Sequence, residues 1–246
     1  MQKGTDTAFP SLNLTDEQIR RLEDSEKASG LNVCALTDAG IHELATRVTY
    51  FNCMLGEDEC DKDDIYRLTE THIKPDSLPM TVAVAARNTY KTFTNICRVI
   101  REFGPVDVNA AYVRSLHQSL SENLLKREYG GTINNLGAYM LGMTSPYEKD
   151  RREEYLQELF IKTDELENPT LRALFLHLNL IRLQPFLDCN KRTARMAETT
   201  ILLNAGLQPV ITDKKAVAEM YSGTISDFLD NGNYKGYARF ITALRG

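Results

Sequence analysis

Apolar side chains recur at helical spacing along most of the chain, and this pattern predicts a nearly all-helical protein. Thr15 and Gln18 have the spacing of a capping box, which predicts the start of a polar first helix. The most apolar segment, residues 170–183, carries leucine, phenylalanine or isoleucine every three or four positions, as a core helix does. The predicted helices cover residues 16–28, 37–55, a short stretch before Pro75, 80–102, 108–125, 147–160, 170–183, 190–206, 213–229 and 234–244.

Breaks between these helices are marked by residues that favour turns or cannot continue a helix. Asp107 precedes a helix in the second half of the chain and is predicted to cap it. Pro185 cannot lie inside a helix, so we expect the most apolar helix to end near Gln184. A loop rich in glycine and asparagine covers residues 129–147, and within it Ala138–Met143 is predicted to pair as a small β-hairpin.

The composition is that of an ordinary globular protein. Of the 246 residues, 42% are apolar and 26% are charged, which excludes a disordered or collagen-like chain. No apolar run reaches the roughly 18 residues that a membrane helix needs, and the first residues lack the apolar core of a signal peptide. Five cysteines without metal-ligand spacing favour a reducing compartment, so we expect a cytoplasmic protein without a membrane partner. The net charge of −5 disfavours a nucleic-acid partner.

One segment, residues 184–195 (QPFLDCNKRTAR), has a pattern that points to chemistry. Lys191, Arg192 and Arg195 begin the helix that follows it, where positive side chains oppose the helix dipole. Local helix stability therefore does not explain them. An anion held by the free amides and the two arginines does, which predicts a phosphate clamp.

Two further polar residues of the segment fit such a clamp. Asp188 is the only carboxylate in the loop and suits Mg²⁺, which often takes one or two carboxylates together with phosphate oxygens. Asn190 can donate its amide to a phosphate oxygen. The alternative is an ordinary surface loop, in which the basic side chains are solvated and Asp188 caps the helix. The spacing alone leaves both interpretations open.

The same segment resembles the signature of the Fic/Doc (Fido) domain family, H-x-F-x-[DE]-[GA]-N-[GK]-R-x-x-R. The matching residues are Phe186, Asp188, Asn190, Lys191, Arg192 and Arg195. The resemblance extends over roughly residues 80–240. It includes VRSLHQSL at 113–120, GAYMLGMTSPYEKDRREEYLQELF at 137–160, LHLNLIRLQPF at 176–186 and ILLNAGLQPV at 201–210.

This resemblance implies an all-α fold: a Fic-like helical bundle over residues 105–246 with a small β-hairpin flap, and an N-terminal helical extension, residues 1–104, packed on it. Most members of the family use ATP with Mg²⁺ to transfer AMP to a hydroxyl side chain of a target protein. By position, Asp188 would bind the metal. Nucleotide phosphates would contact Asn190, Lys191, Arg192, Arg195 and the neighbouring Cys189. A target protein segment would dock on the flap by strand addition, beside Met143, Thr144, Ser145 and Tyr147.

The chain departs from the family pattern at the catalytic position. Gln184 stands where the family has the histidine that takes the proton from the target hydroxyl. A carboxamide offers hydrogen bonds but no usable base, and losing general-base catalysis costs about 10²–10⁴-fold in rate. His177 lies two helical turns, roughly 10 Å, before Gln184 and is expected to be structural, as is His117.

Two smaller departures concern the phosphate loop. Cys189 replaces a glycine or alanine, and its thiol could crowd the phosphates, lie aside or, beside arginines and a helix N-terminus, become a reactive thiolate. Lys191 replaces a glycine found in most AMP-transferring members. It could add a phosphate contact or favour another nucleotide pose, as in Doc-type phosphotransfer.

Many family members also carry an inhibitory helix with the pattern [ST]-x-x-x-E-[GN], whose glutamate pairs with the last arginine of the motif. By order and spacing its counterpart here is Phe51–Gly56, where Leu55 stands in place of the glutamate. Leu55 cannot pair with Arg195. If this helix covers the site, its inhibition is lost or works differently; otherwise it is a packing helix.

We therefore expect a nucleotide-phosphate-binding protein of the Fic type that transfers AMP weakly or not at all because of Gln184. One alternative is a working transferase of altered chemistry, such as Doc-like phosphotransfer, in which Gln184 orients the target hydroxyl. The other is a non-catalytic module that binds another anion or a partner protein. The sequence is also compatible with a homo-oligomer.

Overall fold

The computed structural model describes residues 9–56, 60–134, 139–140 and 143–245, and these residues form a helical fold. The predicted helices are all present, with bounds that differ from the prediction by a few residues. They are α1 (Asp16–Ala28), α2 (Asp38–Met54), α3 (Lys62–Thr71), α4 (Met80–Phe103), α5 (Ala110–Leu120), α6 (Arg152–Asp164), α7 (Pro169–Leu183), α8 (Asn190–Asn204), α9 (Lys215–Asn231) and α10 (Lys235–Arg245).

Side-chain caps set several helix starts, and one of them corrects a prediction. The capping box at Thr15 and Gln18 is present, with both reciprocal hydrogen bonds. The cap of α5 is Asn109, whose side-chain oxygen accepts a hydrogen bond from the backbone N–H of Tyr112 at 2.9 Å. The prediction of Asp107 as the cap is therefore wrong. Asp107 lies two residues before the N-cap position, and its carboxylate instead accepts a hydrogen bond from the Asn109 amide.

The start of α6 also differs from the prediction. Residues 147 and 148 precede a short 3₁₀ turn, Lys149–Arg151, and the α-helix begins only at Arg152.

The strand content of the described residues is confined to two strands of two residues each. β1 (Tyr139–Met140) and β2 (Met143–Thr144) pair antiparallel, with Tyr139 opposite Thr144 and Met140 opposite Met143. The other residues of the predicted hairpin, 138, 141 and 142, lie outside the described part of the chain. A flap that docks a target stays a prediction.

The core is built around α7, which is buried on nearly every side. Leu174, Leu178 and Ile181 have no exposed surface, as expected for a helix whose apolar side chains extend beyond a single stripe. The main hydrophobic cluster also takes in side chains from before residue 104, among them Leu22 and Val48. The N-terminal helices thus pack on the rest of the chain, while the division at residue 104 stays a prediction. In the part of the chain that the structure describes, no helix has the length and apolar character to cross a membrane.

Candidate functional site

A sharp loop joins the two most buried helices, α7 and α8. Gln184 ends α7 in the left-handed region, with φ 49° and ψ 57°. Cys189 begins α8 in the same region, with φ 60° and ψ 11°. Non-glycine residues adopt this conformation rarely, so the loop holds two strained positions five residues apart.

Asn190 holds this loop in shape from within. Its side-chain oxygen accepts a hydrogen bond from the backbone N–H of Phe186, and its amide donates to the Phe186 carbonyl and to Gln184 Oε1, each at 2.9 Å. The Gln184 amide donates in turn to the carbonyl of Ile181 at 2.8 Å. Both amide hydrogens of Asn190 are therefore used inside the loop, and any contact with an anion would come from its backbone N–H.

His117 supports the loop from α5. Its ring stacks on Phe186 with centroids 4.0 Å apart and planes within 8° of parallel. Nδ1 accepts the backbone N–H of Gly131 at 2.8 Å, so the ring proton sits on Nε2 and is donated to the Asp188 carbonyl at 3.0 Å. Burial lowers the pKa of His117 to about 4, so the ring is neutral at neutral pH. The expected structural role of His117 agrees with these contacts.

The start of α8 presents a partly exposed group of charges, which we call the α8 rim: Asp188, Lys191 and Arg192 with the first backbone amides of the helix. Asp188 is exposed, and Lys191 and Arg192 are half-buried. Among the described residues no side chain caps this helix. A helix N-terminus with two cations beside it is a favourable place for an anion.

Asp188 fits a magnesium ion only in company with other ligands. No group of three or more histidine, cysteine, aspartate or glutamate residues with metal-binding geometry occurs in the described ranges. Mg²⁺ commonly takes one or two protein carboxylates and completes its shell with phosphate oxygens and water. A single exposed carboxylate within the α8 rim suits that mode.

Arg195 is placed differently from the rim. Its side chain is buried, with 5% exposure. Nε donates to Asn52 Oδ1 at 2.7 Å, and Nη1 lies 3.4 Å from the hydroxyl of Tyr221. The guanidinium also lies over the Tyr221 ring, 5.7 Å from its centroid. Arg195 thus lies between α2 and α9 and does not share the exposed face of Arg192.

This placement corrects the predicted counterpart of the inhibitory helix. Helix α2 does contact the last arginine of the motif, but the contact is made by Asn52, three residues before Leu55. Residues three apart lie on one face of a helix, so the contact is made one turn before the position that the pattern indicates. A neutral amide takes the position that the pattern assigns to a carboxylate.

Cys189 is not a reactive thiolate. Its side chain is buried, and burial raises the pKa of the thiol to about 11 despite the nearby Arg192 guanidinium. Arg192 Nη1 lies 3.4 Å from the sulfur. The thiol stays protonated at neutral pH, so the structure contradicts the thiolate alternative.

Two of the predicted flap residues, Ser145 and Tyr147, contact the rest of the protein. Ser145 donates to the last carbonyls of α7, at 3.0 Å for Leu183. Tyr147 is 7% exposed, with its ring 5.3 Å from Phe9 and 5.0 Å from Tyr155. Tyr147 therefore does not face a docked target, because its large ring is packed between two other rings. The side chains of Met143 and Thr144 lie outside the described part of the chain.

Comparison with known proteins identifies the domain around this loop. The model of the Fic/DOC family matches residues 107–202, which include α5, α7, the loop and nearly all of α8. The chain contains a Fic/DOC family domain. The Fic domain thus includes both strained loop positions and the α8 rim.

The relatives of this Fic domain are adenylyltransferases by name. The protein adenylyltransferase Fic of Drosophila erecta is 27% identical over 142 residues, which cover 55% of this chain and 28% of the relative. That of Drosophila persimilis is 32% identical over 74 residues, which cover 30% of this chain and 14% of the relative. The chain spans less than a third of the length of these relatives.

Solved structures share the fold across almost the whole chain. A Fic family protein from Desulfovibrio desulfuricans G20 matches with a TM-score of 0.76 at 17% identity, covering 96% of this chain and 74% of that one. Fic-1 from C. elegans matches with a TM-score of 0.67 at 16% identity, covering 93% of this chain and 68% of that one. At these identities the likeness establishes the Fic fold alone.

Two residues that contact the Fic motif were not singled out from the sequence. Asn52 precedes Arg195 by 143 residues, and Tyr221 follows it by 26. Neither carries a local signal, because each lies on a helix whose apolar pattern indicates only packing. The only pointer in the sequence was the resemblance of Phe51–Gly56 to an inhibitory pattern, and that pointer selected the wrong residue.

Proposed function

We propose that this Fic domain binds the phosphates of ATP with Mg²⁺ and transfers AMP to a protein hydroxyl weakly or not at all. The observation that carries the proposal is the position of the Gln184 carboxamide, at the point where a general base would act. Its carboxamide lies in the motif loop, bonded to Asn190 and to the carbonyl of Ile181. A carboxamide at this point can orient a hydroxyl but cannot accept its proton at neutral pH.

The nearby imidazoles do not replace the missing base. His117 has both ring nitrogens in hydrogen bonds with backbone groups of Asp188 and Gly131. His177 has no exposed surface, and its ring nitrogens lie 2.9 Å from Tyr221 Oη and from a carboxylate oxygen of Glu198. The nitrogens of both rings therefore contact other groups of the protein, and neither ring faces an incoming hydroxyl.

The α8 rim supports the nucleotide part of the proposal. In this arrangement the backbone amides of α8, Lys191 and Arg192 contact phosphate oxygens, and Asp188 holds Mg²⁺, which neutralises phosphate charge when bound. Arg195 joins them once a terminal phosphate takes the place of the Asn52 amide. A target segment bearing the hydroxyl would add as a strand beside β2.

Transfer of label from α-labelled ATP with Mg²⁺ tests the proposal, with wild type and Gln184→His compared in the same lysate. We expect the histidine variant to label protein about 10²–10⁴-fold faster, because it regains a general base. Strong labelling by the wild type would contradict the argument from Gln184. Absence of labelling in both would contradict the retained nucleotide site.

Lys191 favours a second candidate, a phosphotransferase of the Doc type, because it places an extra cation on the α8 rim. The same assay with γ-labelled ATP separates the two. Label from the γ position with none from the α position would establish phosphotransfer. If neither label is transferred and ATP·Mg²⁺ does not stabilise the protein, the third alternative is favoured. That alternative is a non-catalytic module that binds another anion or a protein.

A further inference from the structure

Arg195 is a buried cation without a charged hydrogen-bond partner. Its two described partners, the Asn52 amide oxygen and the Tyr221 hydroxyl, are both neutral. Burying a charge is costly unless hydrogen bonds and an opposite charge compensate it. The ring face of Tyr221 supplies part of this compensation, and a buried carboxylate nearby supplies an opposite charge.

A chain of buried polar groups leads from Arg195 to a carboxylate. The hydroxyl of Tyr221 lies 2.9 Å from Nε2 of His177. Nδ1 of His177 lies 2.9 Å from Oε2 of Glu198, which is 2% exposed. The hydroxyl of Tyr237 also lies 2.9 Å from both carboxylate oxygens of Glu198. We call Tyr221, His177 and Glu198 the buried relay.

The carboxylate of Glu198 favours one tautomer of His177, and that tautomer sets the direction of the Tyr221 hydroxyl proton. Nδ1 of His177 lies 2.9 Å from Oε2 of Glu198 without the alignment of a hydrogen bond, and a bare lone pair on Nδ1 would repel that oxygen, so the ring proton lies on Nδ1. Nε2 is then an acceptor, and Tyr221 must donate its hydroxyl proton to it. Burial raises the pKa of Tyr221, which therefore keeps that proton.

With its proton turned towards His177, the oxygen of Tyr221 presents only lone pairs to Nη1 of Arg195. A hydroxyl proton pointing the other way would repel the guanidinium. Glu198 thus makes Tyr221 an acceptor for Arg195.

We propose that Glu198, His177 and Tyr221 are positioning residues that orient Arg195 towards the terminal phosphate of the nucleotide. The inference rests on the proposed function, which gives Arg195 that phosphate as its ligand. The relay holds Nη1 and the ring face of the guanidinium, and the donors that remain for a phosphate oxygen are Nη2 and, once Asn52 is displaced, Nε.

The test compares binding of ATP·Mg²⁺ and of AMP to the full chain by calorimetry. Tyr221→Phe keeps the ring but removes the hydroxyl that joins His177 to Arg195. We expect it to weaken ATP binding about tenfold, equivalent to about 1.4 kcal/mol, and to change AMP binding less than twofold. The ratio of the two affinities is the readout, because a merely structural loss changes both alike.

Tyr234→Phe is the matched control. Tyr234 is another fully buried tyrosine whose hydroxyl makes two hydrogen bonds, with Asn179 and Pro10, away from Arg195. It should lower the thermal stability as much as Tyr221→Phe does while leaving the ratio unchanged. Glu198→Gln, which removes the charge and keeps the shape, is the second test variant and should lower the ratio at least threefold.

Arg195→Ala separates failure of the relay from failure of the proposed function. If Arg195→Ala lowers the ATP to AMP ratio while Tyr221→Phe and Glu198→Gln match Tyr234→Phe, the relay is refuted and the nucleotide site stands. If the wild type shows no preference for ATP, or Arg195→Ala leaves that preference unchanged, the phosphate role of Arg195 is refuted and the relay with it.

Discussion

Cys189 begins α8 with a φ of 60°, a conformation in which Cβ crowds the backbone. The cost is roughly 1–2 kcal/mol for a residue with a side chain, and glycine avoids it. The family pattern has a glycine or alanine here, and the geometry explains the glycine. It does not explain the cysteine, whose thiol is buried beside Arg192.

We predict that Cys189→Gly is more stable than Cys189→Ala by about 1 kcal/mol. Both variants lose the buried thiol, but only glycine removes the backbone strain. Chemical denaturation of the two proteins gives the difference directly. ATP·Mg²⁺ should bind the glycine variant as tightly as the wild type or more tightly. An alanine variant as stable as the glycine variant would show that the loop is unstrained at this position.

At the scale of elements, α2 and α8 meet where Asn52 holds Arg195. We predict that Asn52→Ala binds ATP·Mg²⁺ about fivefold more tightly, because the phosphate no longer displaces an existing hydrogen bond worth about 1 kcal/mol. The same variant should unfold more easily, by about 1–3 kcal/mol, because Nε of Arg195 is left without its partner in the free protein. Calorimetry and thermal unfolding measure the two effects.

Asn88→Ala serves as the control for Asn52→Ala. Asn88 is 7% exposed, the same as Asn52, and its amide donates to the carbonyls of Leu120 and Glu122. Its loss should destabilise the protein without changing ATP·Mg²⁺ affinity. Equal affinities for the two alanine variants would mean that Asn52 does not compete with the nucleotide.

The contact of His117, on α5, with the motif loop makes the free energy of unfolding depend on pH. Burial lowers the pKa of His117 from 6.5 to about 4, so the unfolded chain binds the proton at a higher pH than the folded one. The contribution of His117 to stability is therefore intact above pH 6.5 and is lost as the pH falls. We predict a decrease in the free energy of unfolding of about 3 kcal/mol by pH 4 from this residue.

His117→Gln isolates that contribution, since a glutamine side chain can still donate and accept but does not titrate. Its free energy of unfolding, measured by denaturant at several pH values, should fall less steeply than that of the wild type between pH 6.5 and 4. Parallel pH profiles for the two proteins would exclude His117 as the source of the acid sensitivity.

At the scale of the whole molecule, binding of the nucleotide should raise the thermal stability of the protein. ATP·Mg²⁺ at 100 times its Kd stabilises a protein by about 2.7 kcal/mol, which corresponds to roughly 5–10 °C in Tm for a chain of this size. We predict this shift for the wild type and its loss in Asp188→Ala, whose exposed side chain lies outside the core. The same shift in Asp188→Ala would remove Asp188 from the metal assignment.

The sequence predicts the helices of this fold well, because their signals are local. The capping box at Thr15 and the turn at Gln184 both depend on residues within a few positions. The α8 rim is predicted for the same reason, being one continuous stretch of chain. Asn52 and Tyr147 escaped prediction, because a contact across the chain and the burial of one ring are set by tertiary packing rather than by spacing.

Helix α2 both fills the core and holds Arg195, and this restricts how the site can open. Ile41, Ala45 and Val48 are buried in the main hydrophobic cluster, on the helix that ends with the Asn52 contact. Swinging α2 away would expose that cluster to water, whereas rotating one amide side chain exposes almost nothing. Access to Arg195 therefore requires a rotamer change of Asn52 rather than a movement of α2, and amide hydrogen exchange along α2 should not become faster when ATP·Mg²⁺ binds.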